Sequence, residues 1–171
     1  MKFLDAMMAV LVSVSTGPSD PQNLLELREI NPQTLCIAQN IYHEARNEST
    51  AGMVAVANVT INRMRDPSFP NTICEVVFEG PHYTSKKSGK IYPYKNRCQF
   101  SWYCDGLSDK VKNTRKFNQI FTLSDYVIKN PDLDITDGAL FYHADYVNPG
   151  WATRMNKVAQ IDAHIFYKPK N

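Results

Sequence analysis

The pattern of apolar and polar residues predicts two consecutive helices, over residues 31–46 and 50–65. Asn31 suits the N-cap of the first helix and Pro32 its first helical position. With residues about 100° apart, its apolar positions share one side; they are Leu35, Ala38, Ile41, Tyr42 and Ala45. In the second segment apolar residues occupy nearly every side, which is typical of a buried central helix.

Two further helices are predicted beyond residue 65. Asn71 is expected to cap a short helix that runs to Phe78, and residues 114–129 show the apolar spacing of a longer one. Between them, Ser88-Gly89 predicts a turn joining two short extended arms. Residues 98–106 have no helical period.

The C-terminal third is different in character, because its apolar runs are short and favour strands. These runs cover residues 138–143, 157–162 and 164–168, and the last two are close enough to form a hairpin. Helices first and a small antiparallel sheet afterwards predict an α+β fold.

Residues 1–30 are expected to form a helical N-terminal extension to a single domain over residues 31–171. The apolar run at residues 6–14 is too short for a helix that crosses a bilayer, so we predict no stable membrane insertion. The run fits either a secretion signal or a packed helix, and Asp5 counts against the signal.

Composition adds a local feature to this picture. A net charge of +2 and a pI near 8.3 give no argument for a nucleic-acid partner. Positive charge is nevertheless concentrated in one segment without acidic residues, at Lys86, Lys87, Lys90, Lys95 and Arg97. This segment is either a solvated loop or a patch that meets an anionic polymer.

The four cysteines leave their redox state open. They are Cys36, Cys74, Cys98 and Cys104. Two disulfides are compatible with this count, and Cys98 with Cys104 would close a short loop, but free buried thiols fit equally well. The four histidines are widely spread and show no metal-binding spacing, so we predict no metal site.

Glu44 is the main candidate for chemistry. It lies at the edge of the apolar side of the first helix, near the negative end of the helix dipole. Partial burial and this dipole both favour the protonated carboxyl group, the form that a general acid requires.

Several short blocks occur in the order found in a known family. They are Tyr42 to Ser49, Gly52, Asn62-Arg63, Phe69 to Cys74, Gln99 to Trp102 and Gly138 to His143. Through them the chain resembles, over residues 35–168, the cell wall hydrolases of the spore cortex-lytic type. Relatives of that family also occur in non-sporulating bacteria and phages.

The resemblance implies a compact, lysozyme-like domain that cleaves peptidoglycan between N-acetylmuramic acid and N-acetylglucosamine. Glu44 would be the single catalytic acid of a lytic transglycosylase that needs no cofactor. The protein would act as a monomer at the bacterial cell wall, in the periplasm, outside the cell or delivered by a phage, as a lysin or a wall-remodelling enzyme.

Two alternatives stay open. A muramidase-type hydrolase would need a second carboxylate, for which Glu48 and Asp105 are the candidates. Glu48 also fits a cap or ion pair of the next helix, and Asp105, before Gly106, fits a turn. The other alternative is a non-catalytic wall-binding or virion structural module.

Aromatic and polar residues of the matching blocks are the candidates for binding the sugar. Trp102, Tyr142 and Trp151 could stack on pyranose rings, and Asn62, Gln99, Ser101 and His143 could bind hydroxyl and acetamido groups. Some of these residues also have a structural interpretation: the tryptophans could be core residues, and His143 could be a structural histidine with satisfied hydrogen bonds. Asn62, like Asn58 on the same helix face, could bind backbone. Arg46 is expected to bind backbone or Glu48.

Overall fold

The computed structural model describes residues 30–170, so residues 1–29 of the predicted N-terminal extension lie outside the described residues. Four helices occur in this range: α1 (Pro32–Ala45), α2 (Thr50–Arg65), α3 (Ile73–Val77) and α4 (Thr114–Lys129). A small hairpin pairs β1 (His82–Thr84) with β2 (Ile91–Pro93). The C-terminal sheet contains β3 (Phe141–Ala144), β4 (Met155–Ile161) and β5 (His164–Pro169).

The helix ends follow local capping chemistry. The Asn31 side chain accepts a hydrogen bond from the Gln33 amide, and Ser49 caps α2 in the same way. The predicted start of α3 at Asn71 is wrong. Thr72 is the cap, because its hydroxyl accepts from the Glu75 amide and also donates to the Glu75 carboxylate.

α2 is the central helix, as its apolar pattern predicts, and α1 and α4 pack beside it. One face of the C-terminal sheet closes the core, where Ala55 and Val59 of α2 meet Ala139 and Phe166. The strand order is β3-β5-β4, all antiparallel, and β4 with β5 forms the predicted hairpin. This α+β arrangement confirms the predicted fold class.

Two asparagines of α2 form hydrogen bonds to the segment that precedes β3. The Asn58 amide donates to the Leu133 carbonyl oxygen at 2.8 Å and accepts from the Ile135 amide at 3.2 Å. The Asn62 amide nitrogen lies 3.0 Å from Asp134 and 3.2 Å from the Ala139 carbonyl oxygen. Both amides therefore have the structural role that was one of their two predicted readings.

The turn between β4 and β5 is fastened to the start of α2. Asp162 has a left-handed backbone conformation (φ 49°), and its carboxylate accepts from the Ser49 amide at 2.9 Å and from the Ser49 hydroxyl at 2.6 Å. A side chain at Gly52 would collide with this carboxylate. The glycine therefore allows the sheet to dock against the helix.

All four cysteines form disulfides, Cys36–Cys74 and Cys98–Cys104. The first joins α1 to α3, and the second closes the segment that includes a 3₁₀ turn at Ser101–Cys104. None of the helices within residues 30–170 is long and apolar enough to cross a membrane.

We expect the two disulfides to differ in their contribution to stability. They span 38 and 6 residues, and the loop-entropy relation gives about 4 and about 2 kcal/mol respectively. Equilibrium urea unfolding of Cys36→Ala/Cys74→Ala and Cys98→Ala/Cys104→Ala proteins measures this difference. A larger loss for the second pair would show that loop length is not the controlling factor.

Candidate active site

Glu44 is the next-to-last residue of α1 and lies where α1 meets β3. The Tyr142 hydroxyl donates a hydrogen bond to the Glu44 carboxylate at 3.1 Å. Burial raises the pKa of Glu44, and the Tyr142 hydrogen bond and the charge of Arg63 partly offset that rise. The predicted preference for a protonated carboxyl group therefore has a structural cause in burial.

Arg63 is the buried cation of the site, although sequence reasoning assigned it no role. Its side chain is 5% exposed, and its Nε donates to the Leu140 carbonyl oxygen at 2.7 Å. Burial lowers the pKa of Arg63, while its interactions with Tyr142, Glu79 and Glu44 raise it. Its guanidinium also lies 5.2–5.6 Å from the centres of three aromatic rings, those of Phe69, Phe100 and Phe141.

Glu79 is a second carboxyl group that the sequence did not reveal. Burial raises its pKa, and the nearby charge of Arg63 lowers it. One carboxyl oxygen of Glu79 and one terminal nitrogen of Arg63 are buried without a hydrogen-bond partner among the described residues. Arg63 thus interacts electrostatically with both Glu44 and Glu79. No local pattern identifies Glu79, because it follows a short helix and precedes a loop.

The two carboxylates named from the sequence occupy other places. Glu48 accepts from the Ala163 amide at 3.4 Å, in the turn between β4 and β5. Asp105 accepts from the Leu107 amide at 2.7 Å, as a turn residue does. Arg46 donates to the Tyr42 carbonyl oxygen at 3.2 Å, which confirms the backbone alternative for it.

Trp102 is a core residue in this structure, only 8% exposed, so its predicted stacking on a sugar ring is not supported. Its indole N–H donates to Asn40 at 3.0 Å, and Asn40 in turn donates to Thr60. The ring stacks on His43 at 4.4 Å. Trp102 therefore supports the last turn of α1, which carries Glu44. Gln99 and Ser101, beside it in sequence, are exposed.

The alternation of side chains along β3 separates two other predicted site residues. Tyr142 bonds Glu44 and packs on Phe166, where it is partly buried against the core. His143 faces the opposite side, where its ring nitrogens contact the Ala144 carbonyl oxygen and the Tyr167 hydroxyl. The half-buried Trp151 packs against His143 and Tyr167 on that side. His143 thus has the structural role.

The side-chain amide nitrogen of Asn62 is occupied by contacts within the protein. Its amide nitrogen has three acceptors within 3.4 Å in the segment before β3, at Asp134, Thr136 and Ala139. An amide nitrogen has only two hydrogens to donate, so no hydrogen is left over for a substrate.

A basic depression of about 440 Å³ lies beside the last turn of α1. His43 and Arg46 line one side of it, and Lys110, Lys112 and Lys116 line the other. Glu44 is not among its lining residues. Within residues 30–170, no group of three or more His, Cys, Asp or Glu side chains is arranged to hold a metal ion.

Together, the fold and this site define an α+β domain in which a partly buried glutamate is held between a helix end and a small sheet. The chain belongs to the Cell Wall Hydrolase family, whose sequence profile matches residues 47–167. The match begins just after Glu44, so the assignment of that residue depends on the geometry of the site.

Curated relatives support the family membership. The chain is 43% identical over 131 residues to the spore cortex-lytic enzyme of Bacillus subtilis (strain 168), an alignment that covers 76% of this chain and 35% of the relative. It is 29% identical over 133 residues to the corresponding Bacillus cereus enzyme, covering 77% and 42%. The chain thus spans well under half the length of these relatives.

Two solved structures support the fold. The catalytic domain of the Bacillus cereus SleB protein matches with a TM-score of 0.54 and 27% identity, over 91% of this chain and 95% of that one. The catalytic domain of the germination-specific lytic transglycosylase SleB from Bacillus anthracis matches with a TM-score of 0.52 and 26% identity, over 91% and 100%. These matches confirm the predicted family and α+β class.

Proposed function

We propose that this protein cleaves the glycan strands of peptidoglycan between N-acetylmuramic acid and N-acetylglucosamine, with Glu44 as its single acid and base. The observation that carries the proposal is the burial of Glu44, which raises its pKa, together with its hydrogen bond from Tyr142. Family membership and the lytic transglycosylase named in the matching Bacillus anthracis structure support the choice of reaction.

The proposed reaction has two proton transfers. The neutral Glu44 carboxyl group gives its proton to the glycosidic oxygen as the bond from that oxygen to C1 of the muramoyl residue breaks. The resulting carboxylate then takes the proton of the C6 hydroxyl, whose oxygen forms a new bond to C1. The products are a 1,6-anhydromuramoyl end and a free hydroxyl on the departing sugar, and Glu44 is protonated again.

The surroundings of Glu44 suit both states. Burial favours the neutral acid at the start, whereas the Tyr142 hydroxyl and the Arg63 charge stabilise the carboxylate formed midway. Sugar contacts would come from the exposed Gln99 and Ser101 and from the exposed part of Trp151. The enzyme would act at the bacterial cell wall, as a lysin or a wall-remodelling factor.

Hydrolysis is the second candidate, and Glu79 is the observation that favours it. A muramidase needs another carboxylate near the scissile bond. Glu79 is a candidate because the charge of Arg63 acts on it as well as on Glu44. Digestion of purified peptidoglycan followed by mass analysis of the muropeptides separates the two reactions. Anhydromuramoyl ends establish the transglycosylase and reducing muramic ends the hydrolase, while no release at all would contradict both.

We expect Tyr142→Phe to shift the alkaline limb of the pH–rate profile to higher pH. The tyrosine hydrogen bond lowers the pKa of Glu44, so its removal raises that pKa and keeps the acid protonated at higher pH. The profile of kcat/KM against pH measures the shift. Tyr146→Phe removes a hydroxyl from an exposed tyrosine and is the control. If the alkaline limb of the profile is unchanged in Tyr142→Phe, the ionisation of Glu44 does not control that limb.

A further inference from the structure

The β1–β2 hairpin extends from the domain with both strands largely exposed. An isolated two-stranded hairpin is marginally stable in water, and this one is tied to the domain at its base. The Tyr94 amide donates to the Pro81 carbonyl oxygen, the Asn96 amide donates to the Cys104 carbonyl oxygen, and the Cys98–Cys104 disulfide follows directly. We call residues 82–97 the aromatic–basic arm.

Three tyrosines form a row on one face of the aromatic–basic arm. Tyr83 is paired directly with Tyr92 across the strands, and Tyr94 follows two residues later on the same face. The centre of the Tyr83 ring lies 6.0 Å from the centre of the Tyr92 ring and 5.0 Å from the centre of the Tyr94 ring. Each of the three side chains is 42–43% exposed. Such an exposed group of large rings is typical of a binding surface.

The same arm carries the cluster of positive charges that the sequence shows. Its cations, which are all exposed, are Lys86, Lys87, Lys90, Lys95 and Arg97. Their total of five positive charges compares with a net charge of +2 for the whole chain, and residues 80–97 contain no acid. The two salt bridges of the described residues lie elsewhere, at Lys129–Asp125 and Lys168–Asp137. The charges of the arm are therefore available to a partner.

We propose that the aromatic–basic arm binds anionic glycan strands of the cell wall and that this binding is separate from cleavage. Tyrosine faces can stack on the C–H faces of sugar rings while their hydroxyls meet water and sugar hydroxyls. The cations complement the carboxylates of the peptide stems that the strands carry. The choice of a wall glycan as the partner rests on the proposed function.

The composition of the arm favours a glycan over a membrane surface. Surface-bound membrane segments insert Trp, Phe or Leu, whereas Ile91 is the one aliphatic side chain of the arm apart from proline. The arm also adjoins the proposed site, since the Gln99 amide, just beyond its base, donates to the Glu79 carbonyl oxygen at 3.0 Å. A strand held by the arm would therefore lie near the residues around Glu44.

Co-sedimentation with purified insoluble peptidoglycan, stripped of other wall polymers, tests the arm. The parent protein is the Glu44→Gln variant, so that binding is measured without cleavage. We expect Tyr83→Ala/Tyr92→Ala to weaken binding at least about tenfold, which corresponds to about 1.4 kcal/mol. Lys86→Gln/Lys87→Gln/Lys90→Gln should weaken it similarly and reduce its dependence on salt.

Matched controls remove the same groups elsewhere. Tyr126→Ala/Tyr146→Ala removes two exposed tyrosines, and Lys110→Gln/Lys112→Gln/Lys116→Gln removes three charges from the basic depression. Equal weakening by the arm variants and the controls would overturn the proposal, as would unchanged binding of the arm variants. Circular dichroism checks that all variants are folded.

Two further measurements identify the ligand and separate this proposal from the proposed function. If the arm variants lose binding to anionic lipid vesicles or single-stranded DNA and keep their binding to peptidoglycan, the glycan assignment is overturned. In the otherwise wild-type protein, the arm variants should cleave short soluble glycan fragments at the unchanged rate. Absence of cleavage by the wild type would contradict the proposed function, whereas sedimentation of the Glu44→Gln parent reports on the arm alone.

Discussion

Replacement of Glu44 by glutamine is expected to lower glycan cleavage by about 10²–10⁴-fold, the usual contribution of a general acid, or more because one group serves both proton transfers. Glutamine keeps the shape of the side chain and can still accept from the Tyr142 hydroxyl, but it has no proton to give. Muropeptide release from purified peptidoglycan measures the loss. Glu48→Gln, which changes a carboxylate one turn further along the chain, should retain activity.

The same variant should not be less stable than the wild type at neutral pH. Burial raises the pKa of Glu44, so the folded wild type holds its proton more tightly than the unfolded chain does. Its stability relative to Glu44→Gln therefore falls as pH rises from the unfolded pKa through the folded pKa. Urea unfolding at several pH values measures this difference. Retained cleavage in a folded Glu44→Gln protein would place the acid elsewhere.

Removal of Arg63 is expected to produce the largest loss of stability, about 3–5 kcal/mol for Arg63→Ala at neutral pH. This change leaves the carboxyl groups of Glu44 and Glu79 without their nearby cation. It also removes the hydrogen bond to Leu140 and the guanidinium that packs among three phenylalanine rings. Equilibrium unfolding in urea gives the free energy of unfolding.

The pH dependence of this loss distinguishes charge from packing. The Arg63 charge lowers the pKa of both glutamates, so its stabilising effect is present when they are ionised and decreases as they become protonated at low pH. Arg65→Ala, on an exposed arginine of the same helix, should change stability by no more than about 0.5 kcal/mol. A similar small change for Arg63→Ala would show that Arg63 does not hold the site together.

Glu44 illustrates how much of the site a sequence can provide. Helical spacing placed it at the edge of a buried helix face, and the structure shows the burial and the raised pKa that follow. The residues that act on Glu44 in the folded protein could not be predicted from helical spacing. Arg63 and Glu79 lie 19 and 35 residues away along the chain, and no local period connects residues that meet only when α1, α2 and the segment after α3 pack together.

The sugar-binding predictions show what sequence adjacency cannot provide. Tyr142 and His143 were grouped because they are adjacent in one block, but neighbours on a strand point to opposite faces. One therefore bonds Glu44 and the other contacts Tyr167. Likewise, Trp102 proved to be a core residue because its indole N–H finds a buried partner in Asn40.

By itself, the sequence determined the central α2 helix, the cap at Asn31, the C-terminal hairpin and the family, and it singled out Glu44 as the candidate acid. These follow from local periodicity, capping chemistry and short ordered blocks, all of which act over a few residues. Only the tertiary structure decided that Arg63 lies near two glutamates, which cysteines pair, and that the tyrosines and lysines of the arm form one exposed surface. Those facts depend on distances between elements far apart in the chain, which packing sets.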